Sequence, residues 1–526
     1  MRRDITRRDI KTAPFWVEQP PACVLAKCEV ASLGSSLAEP PRRRSPDLSS
    51  ATASQPSTSA DAPAASLCAK IYESVYLLRR PSKVDEGFTL LGGGAPQNPW
   101  DLRRNLRSLF QSGSKSQLEV LDGLRAWAVL WVISVHCCQF IGIEYGTDDK
   151  GVFTWRAGEA RKLLWSYFPM QLPLAGDMGV DVFFVLSGFL IYKMLTQELD
   201  RNGYIHYGKF FLRRWLRIFP AYAFALMLNK APLMPPCRRW GWTNLLFINN
   251  MVGPQVGDPF TSCMGHTWSI ALEMQFYIFS PPLVALMTGG AAGIAECRVG
   301  GLAGWPSRLT VVLPMSLVAL SLLIRATLVF ATADADGMWV PPTPDIIYDK
   351  LYTRCSPYLF GMLAAAAHQS EAPFVPRGCS DSFASTAAGA LALALCFLGS
   401  GNAFVQRQPP AFNLLLVLFS RAALGACTSL LLVQMLRGKC TVLARVLSSA
   451  VWTPFARLSY SAYLLQFNVV MPLGHSLFGL RGVDSETVAF CWYLVYFVVA
   501  VLGSFGVALV SYLVVEKPLI NLRPFG

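Results

Sequence analysis

Residues 121–138 read LDGLRAWAVLWVISVHCC, an apolar and aromatic run interrupted by two groups that hydrocarbon accepts poorly, Arg125 and His136. Eleven positions separate the two. That spacing is close to three helical turns, so in a helix both side chains lie on one face, roughly 16 Å apart along the axis. An ionisable group at membrane depth costs free energy unless it meets a partner or a water-filled cavity. This face is therefore a candidate functional site, and the remainder of the chain is read as what surrounds it.

The composition supports a membrane setting. Of 526 residues, 53% are hydrophobic, 12% aromatic and only 15% charged, and the mean hydropathy is +0.38. Soluble domains carry about a quarter charged residues, so the depletion points to a polytopic membrane protein. The net charge of +13 is dispersed over an N-terminal tail and short loops. Positive-inside bias and anionic lipid headgroups account for it, and nucleic acid is not an expected partner. The 14 cysteines form no CxxC pair and no Cys/His cluster at zinc spacing, so no metal site is expected. Cys237 and Cys263 share one loop between apolar segments, where a disulfide and two free thiols are both open.

Residues 1–95 are rich in Ser, Pro, Ala and Arg, and are expected to be a disordered cytoplasmic tail without a cleaved secretory leader. Residues 96–117 contain WDLRRNLRSLF, with Trp100, Leu102, Leu106, Leu109 and Phe110 towards one side and Arg103, Arg104 and Arg107 towards the other. That pattern suits an amphipathic helix and linker at the membrane interface. Residues 118–526 form the transmembrane domain. About ten apolar segments of spanning length occur there, centred in 121–141, 180–195, 211–228, 270–287, 309–330, 352–367, 383–398, 412–436, 458–473 and 488–515. The fold class expected is all-α, a multi-pass bundle and not a barrel. Lys and Arg gather before the first segment, between the second and third, between the eighth and ninth, and at the end. With an even count, both termini are expected to be cytoplasmic.

Polar groups recur in the first four segments. GVDVFFVLSGF carries Asp181 and Ser187; HTWSIALEMQFYIFSP carries Glu273 one turn from Ser269 and one turn from Tyr277, with Trp268 beside Ser269. KFFLRRWLRIFPAY repeats Lys209, Arg213 and Arg217 every four residues, with Arg214 alongside. Arginine forks grip phosphate bidentately, and His136, with a pKa near working pH, suits a general base towards a hydroxyl. Together these suggest a donor held by its phosphates with its reactive end at a histidine. Acyl-coenzyme A has that shape.

From about residue 118 onwards, the chain resembles the membrane-bound acyltransferase-3 family. The likeness rests on LDGLRAWAVLWVISVH with its R-x10-H spacing, GVDVFFVLSGFLI, RRWLRIFPAY, WSIALEMQFYIFSP, and LSYSAYLLQ followed by VEKPL. CMGHTWSIALEMQFYIFSP, WTNLLFINN and WTPFARLSYSAYLL look most like the eukaryotic branch named for nose resistance to fluoxetine. The resemblance implies a ten-helix core with Arg125 and His136 as the essential pair. It also implies acyl-CoA as a co-substrate approached from the cytoplasm, no permanently bound cofactor, and a lipid or carbohydrate acceptor. Glu273 or Asp181 is expected to support the histidine. Ser187, Arg213, Arg214, Arg217, Trp268, Ser269 and Tyr277 are expected to line the binding site. Neither the cysteine-containing extracellular domain of animal members nor the SGNH-like domain of some bacterial ones is expected from these residues. Gln466 stands where a histidine is expected, and no catalytic role is assigned to it. A transporter of lipids or small amphiphiles reusing the fold is the alternative.

Overall fold

The computed structural model describes residues 98–111, 119–147, 153–157, 159–230, 235–253, 262–288, 308–331, 347–370, 380–398, 410–476 and 485–521. The expected tail, 1–95, and the linker at 112–118 lie outside them. The chain divides into two units, Met1–Gly87 and Phe88–Gly526, and every described residue belongs to the second.

That unit is helical. Its order is α1 (Leu102–Phe110), α2 (Glu119–Phe140), α3 (Gly179–Asn202), α4 (Tyr207–Lys230), α5 (Pro235–Leu245), α6 (Trp268–Met287) and α7 (Arg308–Ala331). There follow α8 (Ser356–Ser370), α9 (Asp381–Leu398), α10 (Pro410–Leu436), α11 (Trp452–Leu465), α12 (Phe467–Ser476), α13 (Glu486–Ser511) and α14 (Lys517–Asn521). One antiparallel hairpin qualifies the all-α expectation: β1 (Ile143–Thr147) pairs with β2 (Phe153–Ala157), Ile143 opposite Ala157. Its strands, IEYGT and FTWRA, concentrate the aromatic and β-branched residues that suit a pleated ribbon.

Six helices among the described residues are long and apolar enough to cross a membrane: Glu119–Phe140, Phe168–Asn202, Gly265–Met287, Arg308–Ala331, Leu414–Leu436 and Glu486–Asn521. The expected count of ten is larger. Four of the expected segments fall outside the six, among them 383–398, whose apolar helix is shorter. Helix α4 carries Lys209, Arg213, Arg214 and Arg217 in its first half. Helix α8 has only 15 residues. The ninth segment forms two shorter helices, α11 and α12, that abut at Gln466.

Helix α8 packs most extensively on α3, and the two run in the same direction. Arg354, just ahead of α8, meets Asp181 at one end, and Gln369 meets Thr196 at the other. Three long helices, α4, α6 and α7, separate the pair in sequence, the odd number that returns the chain to its starting direction. Between the ends Gly188 faces Gly361. A methyl added at Gly188 would lie 2.1 Å from the Tyr358 carbonyl oxygen, and one added at Gly361 2.1 Å from that of Val185. Backbone touches backbone here. Apolar helices gain little by leaving lipid for each other, so close approach through small residues supplies much of their association.

Gly188→Ala and Gly361→Ala should each cost roughly 1–3 kcal/mol through overpacking. Thermal unfolding of the purified protein in detergent would show this as a lowered midpoint. Gln197→Ala, on the exposed side of α3, should leave the midpoint unchanged.

Candidate active site

Arg125 and His136 are both half-buried on α2, while most of the helix is buried. Arg125 lies 3.5 Å from Asp122 one turn earlier, and within electrostatic reach of Arg217, Glu273 and Tyr277. Its end of α2 therefore gathers charge from α4 and α6.

His136 sits in a different setting. Its Nδ1 is 2.9 Å from Gln466 Oε1, and the amide nitrogen of Gln466 donates to the Tyr463 carbonyl at 3.0 Å. That second bond fixes the orientation of the amide. An amide oxygen can only accept, so Nδ1 carries the proton and Nε2 keeps its lone pair. Phe467 closes the site edge-on, its ring centroid 4.6 Å from that of His136. His266, in the turn before α6, lies 4.1 Å from Phe467 and 6.4 Å from His136 by centroids. Its Nε2 is 3.2 Å from the Leu464 carbonyl, leaving a buried Nδ1 with no hydrogen-bond partner. Tyr463 donates to the His266 carbonyl, so its hydroxyl receives the Ser269 proton, at 2.6 Å.

Glu273 lies on the turn of α6 that faces α3. Its Oε1 accepts from Ser187 at 3.1 Å and from Tyr277 one turn along. Tyr277 in turn lies under the Arg214 guanidinium, 5.8 Å from ring centroid to Cζ. Ser187, Glu273, Tyr277 and Arg214 thus form a polar chain linking α3, α6 and α4. Arg214 is half-buried, whereas Arg213 and Arg217 are exposed. His206, in the turn ahead of α4, titrates below the usual imidazole range because partial burial disfavours its charged form; Lys209 and Arg213 add to this and Glu198 opposes it.

Two expected site residues belong elsewhere. Asp181 is fully buried and shared by Arg354 at 3.2 Å and Arg421 at 2.9 Å; Arg421 also pairs with Asp177. Trp268 lies 5.3 Å from the Arg354 guanidinium on one side, and Tyr348 lies 5.0 Å from it on another. Arg325 caps this group by donating to the carbonyls of Val417 at 2.6 Å and Ile347 at 3.2 Å. Neither carboxylate expected to support His136 reaches it among the described residues. Gln466 does so, a residue set aside in the sequence because a histidine was expected there. Cys237 and Cys263 are disulfide-bonded. No group of three or more potential metal ligands occurs among the described residues.

Comparison with known proteins bears on this arrangement. The acyltransferase-3 family, described as "Acyltransferase domain", matches residues 118–509. The chain belongs to that family. It is 23% identical to nose resistant to fluoxetine protein 6 of Caenorhabditis elegans, over 78% of this chain and 53% of that protein. It is 25% identical to regulator of hypoxia-inducible factor 1 of the same organism, over 80% of this chain and 83% of that one. Both agree with the nose-resistant-to-fluoxetine-like branch of the acyltransferase-3 family. A protein of Staphylococcus aureus named as a candidate O-acetyltransferase is 30% identical, over 32% of this chain and 24% of its own. The chain thus spans about half the length of the first of these relatives. No solved structure matches.

Proposed function

We propose that this acyltransferase-3 family member is an integral-membrane O-acyltransferase that takes its acyl group from acyl-CoA and passes it to a hydroxyl of a lipid or carbohydrate. The observation that carries the reading is the contact of His136 Nδ1 with Gln466 Oε1 at 2.9 Å, whose amide is oriented by its bond to the Tyr463 carbonyl. This arrangement puts the proton on Nδ1 and leaves Nε2 as a base at the half-buried face of α2. Nε2 takes the acceptor's hydroxyl proton while the oxygen attacks the thioester carbonyl carbon. The C–S bond breaks as the tetrahedral intermediate collapses. The imidazolium returns its proton to the departing CoA thiolate, and the base is restored.

Arg125, Arg214 and Arg217 lie towards the other end, where guanidinium forks suit the donor's phosphates. In this reading both termini are cytoplasmic and the basic end of α2 faces the cytoplasm. Glu273 serves as a positioning residue, since it holds Tyr277 beneath Arg214 and accepts from Ser187. His136 is held without it.

The test is purified protein in detergent with labelled acetyl-CoA and a membrane extract, following CoA release and label transfer to lipid or glycan. Turnover that falls in Arg125→Lys, where a point charge replaces a planar fork, supports the reading. A protein that moves labelled lipid between vesicles without releasing CoA is a transporter, and the reading is then wrong.

A further inference from the structure

The basic side chains of α1 take no part in acyl transfer as proposed, yet they line a cavity of about 600 Å³ between α1 and α14. Arg103, Arg104 and Arg107 enter it from α1, and Lys517 from α14. The one acid in its lining, Asp101, already accepts from the Arg104 backbone N–H as the cap of α1. Among the described residues no acid pairs with any of the three α1 guanidinium groups. The three α1 guanidinium groups against the one carboxylate leave the α1 side of the cavity with a net charge of about +2.

Its walls are held by bonds independent of any ligand. Asn105, almost wholly buried, donates to the Pro99 carbonyl at 3.0 Å and accepts from Asn521 of α14 at 3.0 Å. Arg457 of α11 grips the carbonyls of Ser108 and Gln111 at the end of α1. The cavity is therefore built into the junction of three helices.

The neighbouring face of α1 is apolar and uncovered. Leu102, Leu106 and Phe110 follow each other at four-residue spacing; Leu102 is 55% and Phe110 64% exposed. Trp100 extends the row. A soluble anion would satisfy the cations but make no use of this apolar row, which the sequence pattern places at the membrane interface. A ligand with an anionic head and hydrocarbon chains satisfies both.

We propose that this cavity binds the phosphate-bearing headgroup of an anionic phospholipid, whose acyl chains lie along Leu102, Leu106 and Phe110. The site is separate from the acyl-transfer group, and neither reading depends on the other.

The experiment is native mass spectrometry of the full chain in neutral detergent. It is titrated with dioctanoyl phosphatidylinositol 4-phosphate or dioctanoyl phosphatidylcholine, with inorganic phosphate and coenzyme A as competitors. Saturable binding of the anionic lipid is expected, with none of the zwitterionic one. The triple variant R104A/R107A/K517A should weaken it about a hundredfold, from roughly fivefold per basic side chain. R104K/R107K, which keeps the charge, should bind within a few-fold of the wild type. R238A/R239A, which removes exposed charge elsewhere, should bind as the wild type does. Equal binding of both lipids, retained binding in the triple variant, or equal loss in R238A/R239A would overturn the proposal. Displacement of the lipid by phosphate or coenzyme A at similar concentration would assign the cavity to a soluble anion instead.

Discussion

Replacing His136 by alanine should reduce acyl transfer by roughly 10²- to 10⁴-fold, the usual contribution of a positioned general base. Binding of acyl-CoA should be nearly unchanged, because the proposed phosphate contacts lie at the far end of α2. The loss belongs to the chemical step, so single-turnover transfer from labelled acetyl-CoA is the measurement to make. Gln466→Leu supplies a finer version of the same test. It removes the acceptor that keeps the proton on Nδ1, so the ring is free to adopt the other tautomer and rotate. Outer partners of this kind are typically worth about 10- to 100-fold when removed. His136→Ala with wild-type single-turnover rates would exclude the histidine as the base. Gln466→Leu with wild-type rates would leave the histidine standing and remove the amide from the mechanism.

The largest effect on stability is expected at Asp181. Both Asp181 and Arg354 have side chains with 0% exposure, and Arg421 shares the same carboxylate. Removing one partner of a buried ion pair leaves the other charged and unsolvated, at a cost of about 3–5 kcal/mol. Asp181→Ala leaves three arginines facing Asp177 alone, and Asp177 is engaged with Arg421. Little folded protein should be recovered, with a sharply lowered unfolding midpoint in what remains. The companion variant is Asp181→Leu with Arg354→Met, which removes both charges and fills the space with apolar groups. It should recover much of the loss, because a buried pair and a well-packed apolar pair are often close in energy. A single Asp181→Ala as stable as the wild type would show that the cluster is not a structural pin.

These two sites differ in how far the sequence discloses them. Arg125 and His136 sharing a face of α2 is a matter of helical spacing, and spacing is legible in one short segment. So is Tyr277 bonded to Glu273, a one-turn relation within α6. Asp181 could be noticed as a charge among Val and Phe, but its partners lie 173 and 240 residues further on, and no local pattern encodes which of several arginines will arrive. Gln466 is hidden in the sequence for a different reason. A histidine is the residue the family pattern suggests there, whereas holding a tautomer needs only a well-oriented carbonyl oxygen, and an amide supplies one. The ninth segment is helical on both sides of Gln466, whose own backbone is αR and whose backbone N–H donates to the Ala462 carbonyl. The apolar run thus reads correctly as helix, although it is not among the six helices of spanning length. Ser269 shows the limit of face arguments. It lies one turn from Glu273 yet bonds Tyr463 of another helix, because a shared face does not set which neighbour is nearest.

The glycine seam between α3 and α8 also restricts traffic through the protein. Where two backbones touch at Gly188 and Gly361, there is no gap that a fatty or acetyl chain could slip through without parting the helices. Any route by which an acceptor or an acyl chain enters from the bilayer must open on the other flank of the bundle. The seam is therefore a fixed wall of the bundle.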